Sequence, residues 1–191
     1  MAHYSGYVTI TTTSYDAFKS AVNGNSYDAD GVAGCQCVDL AKEINYNLGF
    51  SSPYWDTGGT GSAYGGWSVE SARTFNAGTR YTLVYDKTQI KRGDMIVFNY
   101  FTGNPYGHVG FADEDYNGSN TIRILSQNNG GTPAPGGGTT VNVANYSLSY
   151  FLGAFRLNSW QPIPPTPTES TEHRFPWAIY AAKLRKRRSQ A

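Results

Sequence analysis

The sequence predicts a single α+β domain in which helices come first and an antiparallel sheet follows. Apolar residues recur at helical spacing in residues 15–22 and 37–48. The chain after Gly78 instead consists of short β-branched and aromatic runs separated by Gly, Asn and Asp turns. Helical segments followed by strands are typical of the α+β class. The 191 residues, of which 39% are hydrophobic, suffice for one domain with a buried core.

Three helices are predicted in the first half of the chain. Ser14 supplies a side-chain oxygen for the N-terminus of a helix over residues 15–22. A second helix over 37–48 ends before Gly49, a residue type that is common just past helix ends. A third, short helix is predicted over 68–76, with the serine at its first position as the cap.

Six strands are predicted in the second half, and a separate C-terminal region follows them. The strands cover residues 81–85, 94–100, 107–112, 121–126, 140–144 and 151–157. Residues 1–158 therefore form the predicted folded domain. Four prolines make residues 159–173 a stiff linker by composition, and residues 174–191 form an aromatic and basic tail.

Charge and hydropathy argue against several classes of protein. The net charge is +1, which gives no overall attraction to nucleic acid. Six basic residues against two acidic ones give residues 162–191 a net charge of +4. This tail is a candidate for binding anionic polymers or membrane surfaces, and a disordered terminus or a partner-docking peptide explains it equally well. No segment has the character of a transmembrane helix, and the N-terminus lacks the basic and apolar regions of a signal peptide.

A loop rich in Asp and Gly leads directly into the helix that begins at Cys37. A thiol at a helix N-terminus lies among unpaired backbone N–H groups at the positive end of the helix dipole, which favours the thiolate. The preceding Gln36 has an amide N–H₂ that can point at an oxyanion. Cys35 is too close in sequence to Cys37 for an unstrained disulfide, so both are predicted to be free thiols. The alternative is that Cys37 is a small buried hydrophobe.

His108 is the strongest candidate among the three histidines of the chain, because it lies in a predicted strand within the segment Gly-His-Val-Gly-Phe. In cysteine hydrolases an imidazole serves as the base for the thiol. A histidine in a half-buried strand is also compatible with a structural role. The order of a helix-starting cysteine, this strand and a later Gln-Asn pair favours the hydrolase.

Four ordered segments of the chain identify a family. They are Tyr-Asp-x-Asp-Gly-x-x-Gly-x-Gln-Cys-x-Asp-Leu from Tyr27, Arg-Gly-Asp-Met-Ile-Val-Phe from Arg92, Gly-His-Val-Gly from Gly107 and Leu-Ser-Gln-Asn from Leu125. These segments resemble the CHAP domain, the cysteine, histidine-dependent amidohydrolases and peptidases that cleave peptidoglycan. The resemblance covers roughly residues 12–157 and implies a papain-like fold, with N-terminal helices packed on an antiparallel sheet.

The resemblance implies a role for each matching residue. Cys37 corresponds to the nucleophile and His108 to its general base. Gln36 matches the glutamine whose side chain forms an oxyanion hole with the backbone N–H of Cys37. Asn128 is predicted to orient the imidazole, as in papain-type Cys-His-Asn sites. Ser126, where many relatives have glutamate, would do so only weakly.

The acidic loop before the nucleophile has the spacing of a cation site. Counting Asp28 as position 1 of a twelve-residue loop places further oxygen donors at EF-hand positions, although position 6 is not glycine and position 12 is Asp instead of Glu. Several CHAP domains are similar here and bind calcium, so the resemblance implies a structural Ca²⁺. The predicted ligands are the side chains of Asp28, Asp30 and Asp39 and the carbonyls of Val32 and Gly34. The alternative is an Asx turn, with Asp39 complementing the helix dipole.

The predicted function is that of a peptidoglycan hydrolase, a phage endolysin or a virion-associated lysin. It would cleave an amide bond in the peptide part of the bacterial cell wall, either the N-acetylmuramoyl-L-alanine amide or a cross-bridge peptide bond. The enzyme would be made in the host cytoplasm and reach the wall after holin-type release, or travel on a virion. Tyr54, Trp55, Tyr64 and Trp67 are candidate walls of the substrate groove, with core packing as the alternative for two of them.

Three alternatives stand beside this prediction. The NlpC/P60 group has a similar cysteine helix and histidine strand, but it typically uses a second histidine, and neither His3 nor His173 follows the His108 strand at the right place. An intracellular papain-like amidase or deamidase would need no calcium loop. A catalytically idle wall-binding module would not need both Cys37 and His108. The sequence leaves the oligomeric state open.

Overall fold

The computed structural model describes residues 1–50 and 55–160. The predictions about Tyr54 and about residues 161–191, which hold most of the linker and the whole tail, lie outside the described residues. Within the two described ranges, no helix combines the length and the apolar character needed to cross a membrane.

The first two helices lie close to the predicted positions. Helix α1 spans Tyr15–Val22, and the Oγ of Ser14 accepts a hydrogen bond from the backbone N–H of Ala17 at 3.1 Å. Helix α2 spans Cys37–Asn47 and is followed by Gly49 at a φ of +68°, a conformation that costs glycine little.

The predicted start of the third helix, at Ser68, is wrong. Two short helices, α3 (Gly65–Ser68) and α4 (Glu70–Ala77), take the place of a single one. Ser68 ends α3 instead of capping the next helix. Gly66 lets α3 approach the ring of Trp55 closely, because a Cβ at this position would lie 2.6 Å from that indole. Tertiary packing therefore decides where α3 forms.

The strands of the described ranges form two sheets. They are β1 (His3–Ser5), β2 (Ser26–Asp28), β3 (Tyr81–Val84), β4 (Met95–Phe98), β5 (His108–Ala112), β6 (Thr121–Ser126), β7 (Asn142–Ser147) and β8 (Phe151–Leu157). Strands β3 to β8 form an antiparallel sheet in the order β3-β8-β4-β5-β6-β7, so all six predicted strands are confirmed. Strands β1 and β2 pair in parallel and were not predicted, because three residues are too few to show a period.

Both faces of the six-stranded sheet are buried. Val97 of β4 and Phe111 of β5 pack in one cluster together with residues of α1 and α2. Ile96 of β4 and Ile124 of β6 pack in a second cluster on the opposite face. The architecture is α+β, with N-terminal helices packed on an antiparallel sheet, as the sequence predicts. The first cluster holds α2 against the sheet, and that contact positions the candidate site.

The packed core extends two residues beyond the predicted domain end at residue 158. The ring of Trp160 lies 5.5 Å from that of Phe18, and its indole N–H donates to the carbonyl oxygen of Thr12 at 2.8 Å. Trp160 therefore belongs to the folded domain and not to the linker.

Candidate active site

Cys37 lies where α2 meets strand β5. It is the first residue of α2, and its thiol lies near the backbone N–H of Val109. Burial raises the pKa of the thiol to about 11, against the opposing effect of this N–H and of the N–H groups at the helix start. Burial thus opposes the resting thiolate that the sequence predicts. Loss of water outweighs the helix N-terminus, and the neutral thiol is favoured.

His108 is held by a serine at the end of the neighbouring strand. The imidazole begins β5 and is buried, and its Nε2 is hydrogen-bonded to the Oγ of Ser126 at 2.9 Å. Burial lowers the pKa of His108 to about 4, so the ring is neutral at pH 7. Ser126, which the sequence ranked below Asn128, is thus the partner of the imidazole.

The serine contact determines which ring nitrogen of His108 can act on the thiol. When Nε2–H donates to the Ser126 hydroxyl, Nδ1 carries the free lone pair that a general base needs. Within the described ranges no direct hydrogen bond joins His108 to Cys37. Val109, which follows His108 in the chain, brings its backbone N–H close to the sulfur instead. Catalytic contacts are often long before substrate binds.

Tyr146 covers one face of the His108 ring. The two rings are stacked, with centroids 4.9 Å apart and an interplanar angle of 13°. Tyr146 lies in β7 at the edge of the sheet, yet its ring is also 4.4 Å from that of Phe98 in β4. The sheet must therefore curl until its edge approaches its centre. This contact follows from the curvature of the whole sheet, and no local pattern in the sequence indicated it.

Asn128 contacts Gln36 instead of His108. Its Nδ2 donates to the Oε1 of Gln36 at 3.0 Å, and the Nε2 of Gln36 donates to the carbonyl oxygen of Ala33 at 2.6 Å. The predicted role of Asn128 as the residue that orients the imidazole is therefore wrong. Asn128 instead fixes the amide of Gln36, which keeps a second N–H for an oxyanion.

Gln127 ties the start of α2 to the end of β6. Its side chain is fully buried and exchanges two hydrogen bonds with the backbone of Tyr27, at 2.7 and 2.6 Å. Its Nε2 also donates to the carbonyl oxygen of Gln36 at 3.0 Å. Gln127 thus fixes the residue that precedes Cys37. Gln127 belongs to the Leu-Ser-Gln-Asn segment, and its place directly after a predicted strand was the available signal for this role.

Cys35 lies in a different environment from Cys37. Its buried sulfur is 3.7 Å from the Nδ1 of His3 and 3.9 Å from the carbonyl oxygen of Pro135. Both cysteines are free, as predicted. Cys37 is therefore the thiol beside the histidine strand, and Cys35 is a matched buried thiol outside the site.

The three aspartates of the predicted cation site converge. One carboxylate oxygen each of Asp28, Asp30 and Asp39 lies within 4.8 Å of the others. The Oδ1 of Asp28 is buried and has no hydrogen-bond partner among the described residues. Burial raises the pKa of Asp39 to about 6, so a nearby cation would favour its charged form. This donor set of clustered oxygens fits a hard divalent cation.

Lys42 is the cation that the structure places in this cluster. Its Nζ lies 2.5 Å from the Oδ2 of Asp30 and 3.4 Å from the Oδ1 of Asp39, and its side chain is almost fully buried. An ammonium group there neutralises part of the acidic charge. A metal ion bound by all three aspartates would share these oxygens with Lys42 or displace it.

The two predicted carbonyl ligands stay predictions. The N–H of Val32 donates to the Oδ1 of Asp30 at 2.9 Å, which is the Asx turn that the sequence analysis considered as an alternative. Gly34 has a φ of +68°, and a Cβ there would lie 2.4 Å from the carbonyl oxygen of Gly136. Close packing against the segment before β7 thus sets the path of this loop.

Two of the predicted groove residues belong to the core. Trp55 and Trp67 are 1% and 5% exposed, and both pack edge-on against Phe155 of β8. Their proposed place in the substrate groove is therefore wrong, because their rings fill space between α3 and the sheet. Tyr64 remains partly exposed and packs edge-on against Tyr100, with ring centroids 5.2 Å apart.

A family model places these residues among known proteins. The CHAP domain model matches residues 25–128, which is more than half of the chain and includes Cys37, His108 and Ser126. The chain belongs to the CHAP domain family. The match begins just before the acidic loop and ends at Asn128, so it covers the site described above except Tyr146.

Two relatives extend the comparison of this CHAP chain. The D-alanyl-L-alanine endopeptidase of Streptococcus phage B30 is 35% identical over 149 residues, which is 77% of this chain and 31% of that protein. The chain thus spans about a third of the length of that relative. The crystal structure of the endolysin LysIME-EF1 matches with a TM-score of 0.58 and 22% identity over 76% of this chain and 65% of that chain. This likeness shows the fold.

The CHAP site of this chain combines three chemical elements. Cys37 offers a thiol, and His108 offers a neutral imidazole with one nitrogen already bound. The Gln36 amide and the Cys37 backbone N–H offer donors at the start of α2. A nucleophile, a base and paired N–H donors are the parts that acyl transfer through a thioester requires.

Proposed function

We propose that this CHAP chain is a peptidoglycan hydrolase that cleaves an amide bond in the peptide part of the bacterial cell wall. The observation that carries the proposal is the placement of Cys37 at the start of α2 against strand β5, whose first residue is a buried His108 held by Ser126. The phage endopeptidase at 35% identity supports this class of substrate.

The reaction begins with proton transfer, since both partners rest in their neutral forms. The Nδ1 of His108 takes the thiol proton while the sulfur of Cys37 attacks the amide carbonyl carbon. The carbonyl oxygen becomes an oxyanion and accepts hydrogen bonds from the Gln36 amide and the Cys37 N–H. The C–N bond then breaks, and the amine leaves with the proton from His108.

Water completes the cycle. His108 takes a proton from a water molecule, which attacks the thioester carbonyl and releases the acid product from Cys37. Ser126 holds the Nε2 of the imidazole through both half-reactions, while Tyr146 covers one face of the ring and keeps bulk water from it. The imidazolium forms only transiently, because burial disfavours its charge.

The name of the phage relative favours one kind of bond. A D-alanyl-L-alanine endopeptidase cleaves between amino acids and not at the sugar-linked amide. We therefore place a cross-bridge peptide bond ahead of the N-acetylmuramoyl-L-alanine amide as the target of this chain. Either bond presents the planar amide carbonyl that the Cys37 site needs.

A structural Ca²⁺ completes the proposal. Asp28, Asp30 and Asp39 would hold it, with the carbonyls of Val32 and Gly34 as further oxygen ligands. The ion would supply positive charge that fixes the acidic loop, and Asp39 lies in the first turn of the same helix as Cys37. The support is the buried, unpartnered Oδ1 of Asp28.

The context of action follows from the relatives. As an endolysin-like enzyme, the protein would reach the wall from the host cytoplasm after holin-type release, or arrive on a virion. The basic tail could add contacts with anionic wall polymers.

A turbidity assay with matched cysteine variants tests the proposed function. Purified Gram-positive walls should clear with the unaltered chain, and Cys37→Ser should abolish clearing because a serine hydroxyl is far less ionised than a thiol. Cys35→Ser, which alters a buried thiol outside the site, should retain most of the activity. Equal loss from both substitutions in folded protein would show that the nucleophile is misassigned.

A further inference from the structure

An exposed aromatic surface lies directly beside His108. It is built on the loop between β4 and β5, residues 99–107, and on its neighbours. Its members are Tyr64, Tyr100, Phe101, Tyr106 and Tyr150, which we call the tyrosine surface. Three of them are well exposed: Tyr100 at 56%, Tyr106 at 64% and Tyr150 at 36%. Exposed aromatic groups on this scale mark interaction sites.

The tyrosine surface is ordered by contacts among its own members. Tyr64 meets Tyr100 edge-on, with ring centroids 5.2 Å apart, and Phe101 stacks on Tyr150 at 4.6 Å. The backbone N–H of Tyr64 donates to the carbonyl oxygen of Tyr106 at 3.3 Å. The rings of these two pairs are therefore held in place before any ligand arrives, which lowers the entropy cost of binding.

Gly107 connects the loop of the tyrosine surface directly to His108. Its φ is +67°, and a Cβ there would lie 2.5 Å from the carbonyl oxygen of Phe98 and 2.9 Å from the Cβ of Tyr64. His108 is the next residue in the chain. A ligand lying on the tyrosine surface would thus contact the loop that leads directly into His108.

The chemistry of the loop favours a neutral ligand. Residues 99–107, Asn-Tyr-Phe-Thr-Gly-Asn-Pro-Tyr-Gly, contain no charged side chain. The amide of Asn104 is already used within the loop, where it donates to the carbonyl oxygen of Gly107 at 3.0 Å and accepts from the N–H of Tyr106 at 3.1 Å. The loop therefore offers ring faces more than hydrogen bonds or ion pairs.

Sugar rings match such a surface better than wall peptides do. Pyranose C–H groups carry slight positive charge and pack on the negative face of an aromatic ring. Wall peptides carry free carboxylates and ammonium groups, which an uncharged loop cannot pair. The geometry and the charge thus both select the glycan part of the polymer.

We propose that the tyrosine surface binds the glycan strand of the wall polymer, a chain of neutral N-acetylated hexosamines, beside the peptide that Cys37 cleaves. This inference rests on the proposed hydrolase function for its substrate, while the binding itself can be measured without catalysis. It makes the chain selective for peptides that are still attached to glycan.

The binding test uses oligomers of N-acetylglucosamine as a neutral, peptide-free glycan, because wall strands stripped of peptide carry a free carboxylate on each muramic acid. Nuclear magnetic resonance titration of the unaltered chain should move backbone signals of residues 99–107. The double substitution Tyr100→Ala with Tyr106→Ala should weaken binding about tenfold or more. Tyr46→Ala is the matched control, because Tyr46 is 44% exposed on α2 and lies outside the tyrosine surface; it should leave binding unchanged.

A paired substrate test measures selectivity. The ratio of kcat/KM for a glycan-linked peptide to that for the same free peptide should fall about tenfold in the double alanine variant. A double variant with phenylalanine at both positions keeps the ring faces and should keep both the ratio and glycan binding. It also controls for folding, which thermal melting of each variant checks.

Failure of this inference is distinguishable from failure of the proposed function. Hydrolysis of wall peptides at equal rates with and without glycan, and no shift on adding peptide-free glycan, would overturn the glycan surface and leave the hydrolase intact. Glycan binding without hydrolysis would support the surface and contradict the proposed function. Loss of binding in the phenylalanine variant as well would contradict recognition through ring faces.

Discussion

Burial of a single cysteine and a single histidine dominates the site at the residue scale. The partial burial of Cys37 and the full burial of His108 raise the pKa of the thiol to about 11 and lower that of the imidazole to about 4. Each shift favours the uncharged form. The N–H groups at the helix N-terminus, which favour the thiolate, have the smaller effect on this pKa. The pair is therefore a thiol and a neutral base that exchange a proton during attack.

Alkylation of Cys37 against pH tests this account. His108 is neutral above about pH 4 and Cys37 is protonated below about pH 11, so the thiolate fraction should rise steadily across the range between them. Iodoacetamide reacts with the thiolate, and mass spectrometry in a Cys35→Ser background should show a rate that climbs through neutral pH. A plateau from about pH 4 to pH 8 would instead indicate a resting thiolate–imidazolium pair.

Replacing Ser126 or Asn128 with alanine should have different effects on the pH dependence of Cys37 alkylation. Ser126→Ala removes the partner of a buried imidazole, so it should lower kcat about tenfold and change the pH dependence of Cys37 alkylation. Asn128→Ala loosens the Gln36 amide, so it should lower kcat while the alkylation profile stays the same. Identical alkylation profiles for the two variants would contradict the separate roles.

The sequence predicted the two reacting residues but not their supports. Cys37 and His108 lie in local patterns, a helix start and a strand start, which spacing reveals. The choice between Ser126 and Asn128 depends on the end of β6, because Asn128 lies beyond the strand with a φ of +58° and turns toward Gln36. Tyr146 depends on the curl of the sheet, which no short segment of sequence specifies.

At the element scale, the start of α2 is held from two sides. Gln127 binds the backbone just before the helix, and the acidic loop packs against its first turn through Asp39, whose Oδ2 accepts from the N–H of Gln36 at 2.8 Å. Any cation in the acidic loop therefore acts on the position of Cys37. Lys42, from the second turn of α2, supplies one such cation.

Chelation and calcium addition test the acidic loop. EDTA should lower the melting temperature and calcium should restore it, since a ligand that binds only the native state adds stability by mass action. Asp28→Asn should remove this response. Lys42→Met should enlarge it, because three carboxylates would then lack their internal cation. Asp115→Asn, which breaks an exposed ion pair with Lys91, is the control and should behave like the unaltered chain.

Calcium titration by calorimetry shows whether the acidic loop binds calcium at all and whether Lys42 competes with the ion. Absence of binding in the unaltered chain, together with unchanged melting in EDTA, would remove the metal and leave Lys42 as the sole counter-ion of this cluster. Tighter calcium binding by Lys42→Met would show that the ammonium group and the metal compete for Asp30 and Asp39.

Elements with a clear period were predictable, and those set by contacts were not. The α1 and α2 patterns and the six strands of the main sheet carry enough residues to show their period. The helix break at Ser68 and the β1–β2 pair do not, because glycine packing against Trp55 and three-residue pairing decide them. The two tryptophans likewise show that aromatic residues in a Gly-rich loop can fill the core.

At the scale of the whole molecule, the hydrophobic clusters on the two faces of the sheet position different parts of the candidate site. One cluster packs α2, which begins at Cys37, against β5, which begins at His108. The other lies under the curl that carries Tyr146 over the imidazole. Trp160, which lies beyond the predicted boundary at residue 158, packs on Phe18 and belongs to this domain.

Analysis of new chain ends in a wall digest tests the central claim most directly. Walls treated with the full chain are labelled at free amines and examined by mass spectrometry. The account predicts one new class of amine, matched by a new carboxyl terminus in the peptide part, that Cys37→Ser does not produce and Cys35→Ser does. New reducing sugar ends without new amines, or new amines formed equally by folded Cys37→Ser, would contradict it.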